Sequence, residues 1–188
     1  MSKLKQQKDL IRKKFLKLRL GLSINQIAIS SAMITLKLQN MNIFQNAKNF
    51  LIYMPINNEV ETKYILNMLL ESNKKVFLPV FGKNAWCISK YRLGDDLISG
   101  PFNIKQPKKI QRALIGDCDV AIVPGLAFSN IGFRIGYGKG VYDRLLTDSK
   151  CIKIGLCYDF GIVNNFEYES NDVPMDFIIS EKRIIKLI

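Results

Sequence analysis

The chain contains no histidine. That absence removes the side chain whose ordinary pKa lies nearest neutrality, and with it any histidine general base and any Ser-His or Cys-His nucleophile. It also argues against a zinc site, because the four cysteines (Cys87, Cys118, Cys151 and Cys157) are scattered and include no C-x-x-C pair. Three of them sit inside apolar runs, as buried reduced thiols do. No apolar run reaches membrane-spanning length, and the basic N-terminus lacks the continuous apolar stretch of a signal peptide. A cytoplasmic protein with no membrane partner is expected. Acidic residues are scarce, 16 against 28 Lys and Arg, for a formal net charge of +12. Charge speaks to partners and not to fold. No aromatic-interleaved basic stripe of the RNA-binding kind is present, so acidic small molecules are favoured over nucleic acid. Without histidine, catalysis must depend on positioning and electrostatics.

The 188 residues, 48% of them hydrophobic, suffice for one domain with a real core. Residues 3–20 read as an amphipathic helix with Leu4, Ile11, Phe15 and Leu18 on one stripe, bordered by Lys8, Arg12 and Arg19. Ser23 to Gln26 has capping-box spacing and opens a second helix reaching about Gln39. Thr62–Glu71 and Val141–Leu146 read as further helices. Strands are expected at Phe50–Met54, Val76–Phe81, Trp86–Arg92, Val120–Val123, Ile152–Cys157, Phe177–Ser180 and Arg183–Leu187. Residues 93–112 read as a long, mostly irregular connection. Apolar strands alternating with helices imply a single-domain α/β fold, Rossmann-like, with a largely parallel sheet and helices on both faces. Ligands of such sheets bind beyond the carboxyl ends of the strands. The segments leaving three of those ends are Met54–Glu61, the stretch after Pro124-Gly125, and Tyr158-Asp159.

The stretch Phe128–Arg144, F-S-N-I-G-F-R-I-G-Y-G-K-G-V-Y-D-R, carries the strongest functional signal. Alternating glycines let several backbone N–H groups face one concavity, and such a nest binds anions. Arg134 and Lys139 add full positive charges there. Asp143 suits a polyanion site if it holds the metal of a Mg-nucleotide. The spacing is neither that of a P-loop nor G-x-G-x-x-G.

With those residues in place, the chain resembles the 5-formyltetrahydrofolate cyclo-ligase family, also called methenyltetrahydrofolate synthetase. Its pattern P-G-x-x-F…G-x-R-x-G-x-G-x-G-x-Y-D-R is filled by Pro124, Gly125, Phe128, Gly132, Arg134, Gly136, Gly138, Gly140, Tyr142, Asp143 and Arg144. Lys8, Ile11 and Arg12 match an N-terminal K-x-x-(L/I)-R, and Glu59–Thr62 matches E-V-E-T. The resemblance implies ATP- and Mg²⁺-dependent closure of 5-formyltetrahydrofolate to 5,10-methenyltetrahydrofolate, with release of ADP and phosphate. It implies catalytic roles for Arg134 and Lys139. It implies a nucleotide site of Lys8, Arg12 and the run Arg134, Ile135, Gly136, Tyr137, Gly138, Lys139, Gly140, Val141 and Tyr142. The folate would meet Met54, Glu59 and residues 137–141, and Mg²⁺ would meet Asp143 and Asp172. A monomer acting on small molecules alone is expected. Two departures from the family pattern stand out: Asn171 where a histidine is common, and Val141 where an aromatic is usual. From the residues alone, Glu59 also reads as an exposed residue near a helix start and Asp172 as a turn aspartate, while Met54 and Phe102 read equally as core residues.

Overall fold

The computed structural model describes residues 3–188. Strict alternation along the apolar runs builds a sheet covered on both faces. In β1 (Asn49–Leu51), β2 (Lys75–Gly82) and β7 (Val120–Pro124), the side chains of Phe50, Val76, Leu78, Val120 and Ile122 enter one core. Their neighbours Leu51, Phe77, Ala121 and Val123 enter the other. The period of two is the pleat itself. On the first face lie α2 (Ile24–Gln39) and α4 (Lys63–Glu71), through Ile34, Leu38, Ile65 and Leu69. On the second lies α5 (Val141–Leu146), through Leu145 and Leu146.

The sheet is completed by β3 (Ala85–Tyr91), β6 (Arg112–Ala113), β10 (Ile152–Leu156), β12 (Phe177–Ile179) and β13 (Ile184–Lys186). The order is β13-β12-β10-β7-β1-β2-β3-β6. The five strands from β12 to β2 are mutually parallel, whereas β13, β3 and β6 pair antiparallel at the margins. The expected Rossmann-like α/β architecture is therefore present, with antiparallel edges added. The carboxyl ends of β1, β7 and β10 lie side by side.

Several short elements lack a legible period. These are α3 (Asn42–Asn46), the hairpin of β4 (Leu97–Ser99) and β5 (Lys105–Pro107), and a small sheet in the order β11-β8-β9. That sheet comprises β8 (Ala127–Ser129), β9 (Arg134–Ile135) and β11 (Ile162–Val163). It carries α1 (Lys3–Leu20), whose Phe15 packs with Leu126, Ala127, Ile135 and Phe166 in a third cluster. The strand expected over Phe50–Met54 ends at Leu51, with Ile52 N still donating to Phe77 O at 3.0 Å, and the chain then turns through Asn57 and Asn58, both at positive φ. The capping box of Ser23 and Gln26 is formed. Thr62 occupies the N-cap of α4, but its hydroxyl donates to Tyr53 O at 2.7 Å instead of capping the helix. Cys118, Cys151 and Cys157 are buried and all four cysteines are free. Among the described residues, no helix is long and apolar enough to cross a membrane.

Candidate active site

One cavity of about 750 Å³ opens over the carboxyl edge of the sheet. Its walls come from α1, the loop after β1, the Pro124-Gly125 turn after β7, the glycine loop and the segment around Asp172. Lys8, Arg12, Met54, Glu59, every residue from Arg134 to Asp143, and Asp172 all line it, as does Phe102. Residues more than 160 positions apart in sequence thus face one space, as the Lys8–Asp172 contact at 2.7 Å shows.

The glycine loop is shaped by its backbone. Gly138 and Gly140 adopt φ of +83° and +58°, a region where a side chain is strained. A Cβ on Gly138 would also stand 3.0 Å from the Arg12 guanidinium. Arg12 Nε donates to Gly136 O at 3.0 Å, and Arg144 Nη2 donates to Lys139 O at 2.7 Å. The loop is therefore held from α1 on one side and from α5 on the other. At its base, Arg134 Nη2 forms an ion pair with Asp143 Oδ1 at 2.9 Å. Two buried polar atoms at the cavity, Arg134 Nη1 and the Tyr142 hydroxyl, have no hydrogen-bond partner among the described residues. An unpaired buried polar group is costly. Lys139 makes no ion pair among the described residues, and its Nζ lies 5.4 Å from the centroid of the Phe102 ring.

Lys8 is buried and bonded by Asp172 Oδ2 at 2.7 Å and Glu169 Oε2 at 3.1 Å. Burial alone would lower its pKa, but the two carboxylates outweigh it and hold the ammonium above its ordinary value. Asp172 Oδ2 also accepts from Glu169 N, and Asp143 Oδ1 also accepts from Val173 N. Each aspartate thus commits one oxygen to protein partners. The donor set suits Mg²⁺, which takes one or two carboxylates and completes its shell with phosphate and water. Among the described residues no cluster of three or more His, Cys, Asp or Glu side chains occurs.

Glu59 corrects the sequence reading. It is 5% exposed, not a surface residue. Burial pushes its carboxyl up to about 7, opposed by the nearby Arg19 and by the Ile56 N–H, which donates to Oε2 at 3.0 Å. Trp86, Pro79 and Ile104 supply apolar wall to the same cavity. Asp159, expected along this edge, instead bonds Ser180 Oγ and the Arg183 guanidinium. Tyr158 donates to Asn58 O at 3.0 Å, behind the Glu59 loop.

The family model for the 5-formyltetrahydrofolate cyclo-ligase family matches residues 4–181. The chain belongs to that family. A 5-formyltetrahydrofolate cyclo-ligase of Haemophilus influenzae is 31% identical over 178 residues, covering 90% of this chain and 95% of that protein. The solution structure of 5,10-methenyltetrahydrofolate synthetase from Aquifex aeolicus superposes with a TM-score of 0.86 at 31% identity, covering 96% of this chain and 92% of that one. The synthetase of Mycoplasma pneumoniae, at 23% identity and a TM-score of 0.75 over 93% and 98% of the two chains, shares the fold. The cyclo-ligase family members are ligases, and this chain is an enzyme of that class.

Sequence reasoning missed two residues of the cyclo-ligase cavity and its margin. Asn57 lines it at φ +48°, and the Asn57-Asn58 pair after Pro55 was a legible turn signal. Arg19 stands on the same helix border as Lys8 and Arg12 but fills no position of the family pattern. It is 3% exposed.

Proposed function

We propose that the chain converts 5-formyltetrahydrofolate to 5,10-methenyltetrahydrofolate with ATP as co-substrate and Mg²⁺ as the metal. The observation that carries this reading is the single cavity that joins a glycine nest, with its flanking cations, to the buried Glu59 carboxylate. A polyanion suits the first, and the adjacent N–H donors of a pterin suit the second.

The chemical obstacle is that a formamide carbon is a poor electrophile with a poor leaving oxygen. In the proposed reaction the formyl oxygen takes the γ-phosphoryl group and ADP leaves. Nitrogen 10 of the folate then bonds to the formyl carbon and loses its proton. The C–O bond breaks, so the oxygen departs within inorganic phosphate. The protein's task is alignment and charge neutralisation. Loop N–H groups, Arg134 and Lys139, all of which line the cavity, would neutralise charge at the phosphate end. Arg12 braces the loop, and Lys8 holds Asp172 beside it. Asp143 and Asp172 would hold Mg²⁺ through the oxygens not engaged by Arg134 and Lys8. The metal supplies charge neutralisation at the phosphate oxygens. Glu59, Met54 and the apolar wall around Trp86 take the folate, with Tyr137 above it.

Mixing protein, ATP, Mg²⁺ and 5-formyltetrahydrofolate tests the reading by the absorbance of the methenyl product. Product formation that requires all components supports it. Absence of product, with folded protein, overturns it.

A further inference from the structure

Arg19 lies in the last turn of α1, and its side chain is almost wholly enclosed. Its Nε donates to Asn57 O at 2.9 Å, its Nη1 to Gly125 O at 3.1 Å, and its Nη2 to the Tyr137 hydroxyl. Nη1 also stands 3.7 Å from Glu59 Oε1. One guanidinium thereby joins the loop after β1, the turn after β7 and the glycine loop. The planar fork of five N–H donors makes this possible, and a lysine ammonium has no equivalent geometry. The joint is reinforced on both sides. Asn58 Nδ2 donates to Arg19 O at 3.3 Å, and Asn57 Nδ2 donates to the Tyr137 hydroxyl at 3.1 Å. A basic residue on a solvated helix face would keep its head in water. This one does not.

We propose that Arg19 is the positioning residue of the folate half of the cavity: it aims the Glu59 carboxylate and holds Tyr137 closed over the substrate. Arg19 need not touch substrate, cofactor or a reacting atom. This inference rests on the folate reading of the cavity given above. Two consequences separate it from a merely structural role. The nucleotide half is braced by Arg12, Arg144 and the Arg134–Asp143 pair, contacts that do not include Arg19. Loss of Arg19 therefore weakens folate binding and spares the nucleotide. The second consequence is electrostatic. The groups facing Glu59 are Arg19 from α1, Tyr53 two residues beyond β1, Tyr137 from the glycine loop and Tyr142 from α5, with the Ile56 N–H. Arg19 is the cation that opposes burial, so its removal raises the pH at which Glu59 ionises.

The test uses Arg19→Gln, Arg19→Lys and Tyr137→Phe, each compared with the unsubstituted chain in the methenyl-forming assay and in calorimetric titrations with 5-formyltetrahydrofolate and with a Mg-nucleotide. Arg19→Gln is expected to raise the KM and Kd for the folate on the order of tenfold or more, as loss of a charged hydrogen-bond partner does. Nucleotide affinity stays within about twofold. The midpoint of kcat/KM for the folate moves to higher pH by about one unit. Arg19→Lys keeps the charge and so keeps the pH midpoint, but it still raises KM. Tyr137→Phe raises KM less and leaves the midpoint in place. If Arg19→Gln fails to fold, the Arg19→Lys and Tyr137→Phe measurements decide. Unchanged folate KM in those two, or an equal loss of nucleotide and folate affinity, overturns the proposal. If the unsubstituted chain forms no methenyl product, the functional reading fails instead, and the two failures are distinct.

Discussion

Arg134 and Asp143 close the glycine loop at its base as an ion pair, Nη2 standing 2.9 Å from Oδ1 with the arginine side chain only 5% exposed. The guanidinium therefore divides its work: one nitrogen is spent on the aspartate, and the other is left unpaired at the cavity. Arg134→Ala should then lose both turnover and stability, since it leaves the Asp143 carboxylate without its ion-pair partner and with only the Val173 N–H. A stability loss of about 1–3 kcal/mol is expected, read from denaturant unfolding. Lys139→Ala should leave the unfolding midpoint unchanged and cost ~3–4 kcal/mol of transition-state stabilisation in turnover. Equal stability losses in the two variants would contradict this division.

Two loop glycines should respond differently to substitution. Gly138→Val meets both a positive φ and the Arg12 guanidinium, so nucleotide affinity should collapse along with the Arg12 contact. Gly136→Ala places its Cβ in open space, with no atom within 4 Å, so the fold should persist with an unchanged thermal midpoint. Its methyl group projects where the phosphate is proposed to lie, so any loss there should be one of ligand affinity alone. Calorimetry with a Mg-nucleotide and a thermal melt on each variant separate the two effects.

Magnesium dependence should follow the two aspartates unequally. Asp143→Asn is expected to raise the magnesium concentration for half-maximal activity several-fold, about the loss of one ligand in a shell of phosphate and water. Asp172→Asn should raise it less and should leave Lys8 with Glu169, at 3.1 Å, as its remaining carboxylate partner. Titrations of Mg²⁺ at saturating ATP and folate provide the measurement. An unchanged midpoint in Asp143→Asn would assign that carboxylate to loop closure alone.

The pH behaviour of Glu59 follows from its burial. Its carboxyl is raised above the ordinary 4.5 to about 7, so the folded protein keeps the proton where the unfolded chain has lost it. Its contribution to stability is full below the ordinary value and is lost as pH rises through about 7. Glu59→Gln, which cannot ionise, should therefore gain stability relative to the unsubstituted chain between pH 5 and pH 8, by about 2–3 kcal/mol. Folate affinity has the opposite sign: the unsubstituted chain should bind folate better as Glu59 ionises, and Glu59→Gln should bind weakly at every pH. Thermal midpoints and folate titrations across that range check both. A constant stability difference would place Glu59 outside the buried environment.

Much of this arrangement was legible because periodicity and glycine spacing are local signals. Phe50, Leu51 and Ile52 alternate between the two cores as a buried strand must, and the Ser23–Gln26 box opens α2 as its spacing implies. The glycine loop announced itself by composition. What stayed hidden depends on tertiary context. Arg19 and Arg12 share one helix border and look alike in sequence, yet only the fold brings Gly125 and Tyr137 to Arg19 and encloses it. Glu59 looked exposed because a lone carboxylate in a polar loop usually is. Burial arises here from α1 packing across the loop, which no local pattern records. The hairpin of β4 and β5 escaped because three-residue strands have no measurable period.

The most direct test of the proposed chemistry follows one oxygen atom. The unsubstituted enzyme is mixed with ATP, Mg²⁺ and 5-formyltetrahydrofolate carrying ¹⁸O in the formyl group, and the released phosphate is analysed by mass spectrometry. Transfer of the formyl oxygen to the γ-phosphoryl group requires one labelled oxygen in each phosphate released per methenyl product formed. Unlabelled phosphate accompanying full product formation would mean that the oxygen leaves by another route, and would contradict phosphorylation of the formyl oxygen as the step this cavity is built to support.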